Sequence, residues 1–131
     1  MSHFSTIKTQ IKKIEPLILA LNHLGYSPNL EKKIIKGYRG KNTDVDVSIN
    51  LPSNTNVGFK WDKNSHSYEL VTDLDLWKYE LPVERFLSKV NQMYAYHTII
   101  KIIIPFIKIW KMSSSERYIV STTFTIHQKF L

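Results

Sequence analysis

Val45, Val47, Ile49 and Leu51 alternate without a break with Asp44, Asp46, Ser48 and Asn50, the period-two pattern of a half-buried strand. Pro52-Ser53-Asn54-Thr55-Asn56 supplies turn residues, after which Val57, Phe59 and Trp61 alternate with Gly58 and Lys60. A second turn, Asp62-Lys63-Asn64-Ser65, leads into a strand over residues 68–72. Neither link is long enough for a crossover helix, so the three strands are expected to form an antiparallel meander. Asp44, Asp46, Lys60 and Glu69 then fall together on the side that should face water.

Two segments cycle with a helical period instead. Ile14, Leu17, Ile18, Leu21 and Leu24 predict a first helix, with Pro16 in its opening turn and Gly25 just past its end. Pro82 marks the start of a second, whose Val83, Phe86, Leu87, Val90, Met93 or Tyr94, and His97 share one side. This helix is expected to run on from Thr98 into an isoleucine-rich stretch, where Pro105 should kink or end it. Residues 3–11 read as an opening strand, 33–36 as a short one, and Gly37-Tyr38-Arg39-Gly40 as a turn or bulge. Ser113 to Ser115 reads as a loop, and the alternation of Tyr118, Val120, Thr122, Phe124 and Ile126 predicts a closing strand. The order strand, helix, four strands, helix, strand predicts an α+β fold. It has a mainly antiparallel sheet of five to six strands, with two helices packed on one face.

Composition narrows the class. The chain has 131 residues, no internal repeat and no long linker, so residues 1–131 are expected to be a single domain. Cysteine is absent, which removes thiolate metal sites and cysteine nucleophiles. The opening Met1-Ser2-His3-Phe4 resembles no targeting segment, and the mature protein is expected to begin there. Lysine far outnumbers arginine, and isoleucine and asparagine are abundant, the usage of an A/T-rich genome such as an organelle's. The net charge of +7 is segregated, with basic ends flanking an acidic middle over residues 42–84. Such a layout suits an acidic partner, nucleic acid or an anionic surface, and otherwise serves solubility.

Candidate chemistry is sparse. The five histidines are scattered in sequence, no pair has metal-ligand spacing, and no metal or cofactor is expected. Asp73 and Asp75 have the oxygen ligands magnesium prefers, but solvated aspartates at a strand end are far commoner. His97 would serve as a general base if a carboxylate oriented it; a partly buried histidine with one hydrogen bond is the plainer reading. Arg39 between two glycines would present its guanidinium to an anion or a carboxylate, although a turn with a salt-bridged arginine is the ordinary use. Phe59 and Trp61 lie on the side opposite Lys60, which weakens an RNA-stacking platform. Residues 98–110 are too short, and too interrupted by Lys101, Pro105 and Lys108, to cross a bilayer. Packing in the core or against a protein partner is expected there, ahead of a surface-lying membrane helix.

An ordered set of motifs adds a family. SHFSTIKTQI at the start, LGY ending at Tyr26, KGYRG ending at Gly40, VGF ending at Phe59, YELVTDLDLW ending at Trp77 and NQMYAY ending at Tyr96 resemble the hypothetical chloroplast open reading frame thirty-five family of algal plastids and cyanobacteria. The resemblance spans Ser2 to about Tyr96, and past it this chain has an isoleucine run where relatives carry a more polar helix. It implies a protein encoded in the plastid and resident in the stroma, and it implies no activity. Positions matching its motifs, His3, Tyr38, Arg39, Asp73, Trp77 and Tyr94, together with His97, are the candidate functional surface. The expected function is a non-enzymatic accessory protein that binds a protein partner through its basic ends and the Arg39 turn. The alternatives are a small-molecule enzyme built on His97 or Asp73 and a single-stranded RNA-binding module.

Overall fold

The computed structural model describes residues 4–112 and 115. Its elements follow in the order β1 (Phe4–Lys8), α1 (Ile14–His23), β2 (Ile34–Lys36), β3 (Asn42–Asp44), β4 (Val47–Leu51), β5 (Thr55–Asp62), β6 (Ser67–Asp73) and α2 (Val83–Lys111). The expected meander is present: β4, β5 and β6 pair antiparallel in sequence order, with Val47 opposite Phe59 and Phe59 opposite Leu70. β1 pairs antiparallel with β6, which gives a four-stranded sheet ordered β1-β6-β5-β4. β2 and β3 form a separate two-stranded sheet. The architecture is therefore α+β and mainly antiparallel, but with the six strands among the described residues divided between two sheets.

Local chemistry sets the boundaries. β1 stops at Lys8 because Thr9 turns the chain: its hydroxyl donates to the Tyr68 carbonyl at 2.6 Å and accepts from the Ile11 amide at 3.0 Å. α1 ends where expected, with Gly25 at φ 87° letting the Tyr26 amide reach back to the Leu21 carbonyl at 3.0 Å. At the other end of α1 the residue before the helix offers no side-chain cap. The Tyr94 hydroxyl on α2 takes that role, accepting from the Lys12 and Lys13 amides at 3.1 Å each.

One core joins the helices to the sheet. Leu17 and Leu21 of α1, Phe86, Leu87 and Val90 of α2, and Val47, Ile49, Val57, Phe59 and Leu70 of the sheet are buried together. Each such large apolar side chain contributes about 1.5–3 kcal/mol on burial. The opposite face of the sheet is only in part the water-facing surface that the alternation suggests: Lys60 is exposed there, but another part is covered. Ile35 of β2 and Val45 pack there with Val71 and Phe4 in a second, smaller core. The 44–51 strand is correspondingly broken. The Val45 amide donates to the Lys33 carbonyl at 2.8 Å and joins the small sheet, while the chain resumes as β4 at Val47. Asp46 makes the transition, its carboxylate accepting from the Trp61 amide at 2.7 Å. Gly58 lies under this crossing, and a Cβ built there would stand 2.7 Å from the Val45 Cβ, so only glycine admits the approach.

The chain divides into two compact units, Met1–His97 and Thr98–Leu131, the division falling within α2. Pro105 does not end α2, which continues to Lys111 although proline removes one backbone donor from the ladder. No described helix is long and apolar enough to cross a membrane. The expected closing strand over residues 118–126 lies outside the described residues.

Candidate functional site

The six candidate residues within the described part fall into two groups. Tyr38, Arg39 and Asp73 come together at the loop of the β2–β3 hairpin. The register Ile34 to Asp44 and Lys36 to Asn42 closes this hairpin over a 3-10 turn at Tyr38–Gly40. Asp73 ends β6 and is only 3% exposed. One of its carboxylate oxygens accepts from the Tyr38 amide and the other from the Asp75 amide, each at 3.0 Å. The buried carboxylate thus ties the hairpin tip to the main sheet, a role for which sequence proximity offers no clue. Asp73 is therefore not the solvated strand-end aspartate expected from its position but a buried structural anchor.

Arg39 adopts φ 56° and ψ 38°, the left-handed region that favours glycine, and Gly40 follows at φ 71°. For an L-residue with a Cβ this conformation costs roughly 1–2 kcal/mol. The expected salt bridge is absent among the described residues. Instead the guanidinium carbon lies 5.2 Å from the centre of the Tyr38 ring, a cation–π contact between two exposed side chains. Lys32, Lys33, Lys36 and Lys41 on the same segment are exposed as well, against Glu31 and Asp44. The hairpin therefore presents a net positive tip with a planar cation at its apex.

Trp77, Tyr94 and His97 belong to the second group and serve the helices. Trp77 donates its indole N–H to the Leu81 carbonyl at 3.0 Å and stacks edgewise on Phe86, pinning the segment that enters α2. Beside it the Tyr26 and Tyr79 hydroxyls are 3.1 Å apart. Burial, then the hydrogen bond and charge of Tyr79, push the Tyr26 phenol far above the usual tyrosine range. Tyr94 caps α1, as described. His97 Nε2 lies 3.1 Å from His23 Nδ1, with the Tyr96 ring edge-on to both imidazoles. The partner of His97 is thus another histidine in the last turn of α1, not the orienting carboxylate a general base requires. His23 escapes sequence reasoning because the pair is separated by 74 residues and joined only by helix packing. Among the described residues no three His, Cys, Asp or Glu side chains gather as a metal site. His3 lies outside the described residues.

The family described as "Protein of unknown function (DUF1257)" matches residues 20–104. The chain is 41% identical over 101 residues to the uncharacterized protein ycf35 of Guillardia theta, an alignment covering 77% of each chain. It is 38% identical over 101 residues to that of Pyropia yezoensis, again covering 77% of each. The corresponding protein of Cyanophora paradoxa is 35% identical over 100 residues, 76% of this chain and 77% of the relative. These relatives are plastid-encoded, which supports a plastid location for this chain. No solved structure gives a significant match.

Proposed function

Since the chain belongs to the DUF1257 family, we propose that it acts without catalysis, as an accessory protein of the plastid stroma that docks an acidic protein partner on the β2–β3 hairpin. The observation that carries this reading is Arg39. An exposed arginine occupies a left-handed position between two glycines, where glycine itself would be less strained. The backbone of its neighbour Tyr38 is held by a buried aspartate 35 residues away in sequence, and the Arg39 guanidinium lies against the Tyr38 ring. Strain kept at a surface position and paired with a fixed charge suits recognition of a carboxylate, which the planar guanidinium can bind through two hydrogen bonds.

The remaining candidates support a non-enzymatic role through what they already do. Trp77, Tyr94 and His97 each contact another part of the fold, and Asp73 commits both oxygens to backbone amides. A tagged chain passed through native stromal extract at low salt is expected to recover a protein complex larger than the monomer. Raising the salt should release it, because exposed charge pairs are screened over about 8–10 Å at physiological ionic strength. Ribonuclease should have no effect. Recovery of the bare monomer, or of material that ribonuclease removes, would contradict the proposal.

A further inference from the structure

The far half of α2 has a surface unlike that of any other element. In residues 98–111 the large apolar side chains Ile99, Ile102, Ile103, Phe106, Ile107 and Trp110 are all exposed, Trp110 to 73%. At about 100° per residue these six cover an arc of roughly 140°. Ile104 is exposed as well, on the flank beyond that arc. Lys101 and Lys108 fall on the opposite side, and Lys111 sits at the edge of the apolar arc. Sequence reasoning finds no clear polar face here. The face appears once the helix is known to continue unbroken past Pro105, which places Lys101 and Lys108 two turns apart on one line. No Asp or Glu occurs between Glu84 and Glu116, so the whole helical stretch beyond its first turn is free of negative side chains.

We propose that this half of α2 lies along the surface of an anionic lipid bilayer, with its apolar arc sunk among the acyl chains. Three observations favour lipid over a protein groove. The exposed apolar surface wraps around more of the helix than the narrow seam a single partner helix covers. Lys108, Trp110 and Lys111 stand together at one end, a combination of cation and amphipathic ring that suits the headgroup layer. The charge is of one sign, which complements anionic headgroups and gives no basis for self-pairing. Fourteen residues span about 21 Å along the axis, short of the hydrocarbon thickness, so the helix rests on the membrane rather than crossing it.

The proposal is independent of the hairpin and is tested on the full chain by flotation with vesicles. Binding to mixed phosphatidylglycerol and phosphatidylcholine vesicles is expected to exceed binding to pure phosphatidylcholine by about tenfold or more at low salt. Ile103→Asp should abolish flotation on both. Lys108→Ala combined with Lys111→Ala should weaken only the anionic case, by about tenfold. Arg39→Gly should float like the wild type. Circular dichroism confirms that each variant is folded. The proposal is overturned by absence of flotation on anionic vesicles or by equal flotation on both compositions. It is equally overturned if the wild type sediments as a dimer that Ile103→Asp dissociates and no vesicle binding occurs, since the face then meets a second copy of the chain.

Discussion

At the scale of single residues, the polar groups that matter most are those joining distant parts of the chain. Asp73 is the clearest case, a buried carboxylate accepting from two amides on different segments. Asp73→Ala strands both donors and is expected to cost about 2–3 kcal/mol in urea unfolding, with faster hydrogen exchange at the Tyr38 amide. A loss under about 0.5 kcal/mol would show that the anchor is dispensable. Tyr26 makes a pH prediction. Its phenol is held protonated in the folded protein by burial and by Tyr79, so its folded pKa is raised. Tyr68 is shifted the same way, by burial and then by the negative charge of Asp46. A raised folded pKa means that the contribution is fully present below the ordinary tyrosine value of about 10 and is lost as pH climbs beyond it. Stability measured from pH 8 to 11 should therefore fall at the alkaline end, and Tyr26→Phe should flatten that fall. An unchanged alkaline limb in the variant would assign the loss elsewhere.

At the scale of elements, what could be read in advance was what depends on local period. The meander of β4, β5 and β6, the span of α1 between Pro16 and Gly25, and the buried side of α2 from Val83 to Val90 all follow from spacing and punctuation. The division of strands into two sheets does not. Val45 continues the alternation of Val47 and Ile49 without interruption, yet its side chain joins the opposite core, because the chain crosses between sheets at Asp46. Asp46 occupies an ordinary polar position of that alternation, and Gly58, which meets Val45, is the trace that the crossing leaves in the sequence. The same limit applied to the site. Tyr38 and Asp73 could each be nominated, but their bond spans 35 residues and depends on the small sheet packing over the large one. That packing is testable. Gly58→Ala should cost about 1–3 kcal/mol by forcing a methyl against Val45, and adding Val45→Ala should recover part of the loss. Strictly additive losses in the double variant would show that the two positions do not meet.

At the scale of the whole molecule, charge and family set the frame. Part of the N-terminal basic stretch is displayed at the surface, since Lys32, Lys33, Lys36, Arg39 and Lys41 are all exposed along the hairpin segment. The chain belongs to the DUF1257 family, and its plastid-encoded relatives support a plastid location. Within that frame the docking proposal makes an unusual demand, that the residue most responsible for binding be one the fold would rather replace. The direct measurement is a paired one on Arg39→Gly, comparing stability by urea unfolding and partner recovery from stromal extract. The account predicts a variant as stable as the wild type or more so, by about 0.5–1 kcal/mol, because glycine relieves the left-handed backbone. It predicts that the same variant fails to recover the partner. A variant that recovers the partner as well as the wild type does would contradict the account.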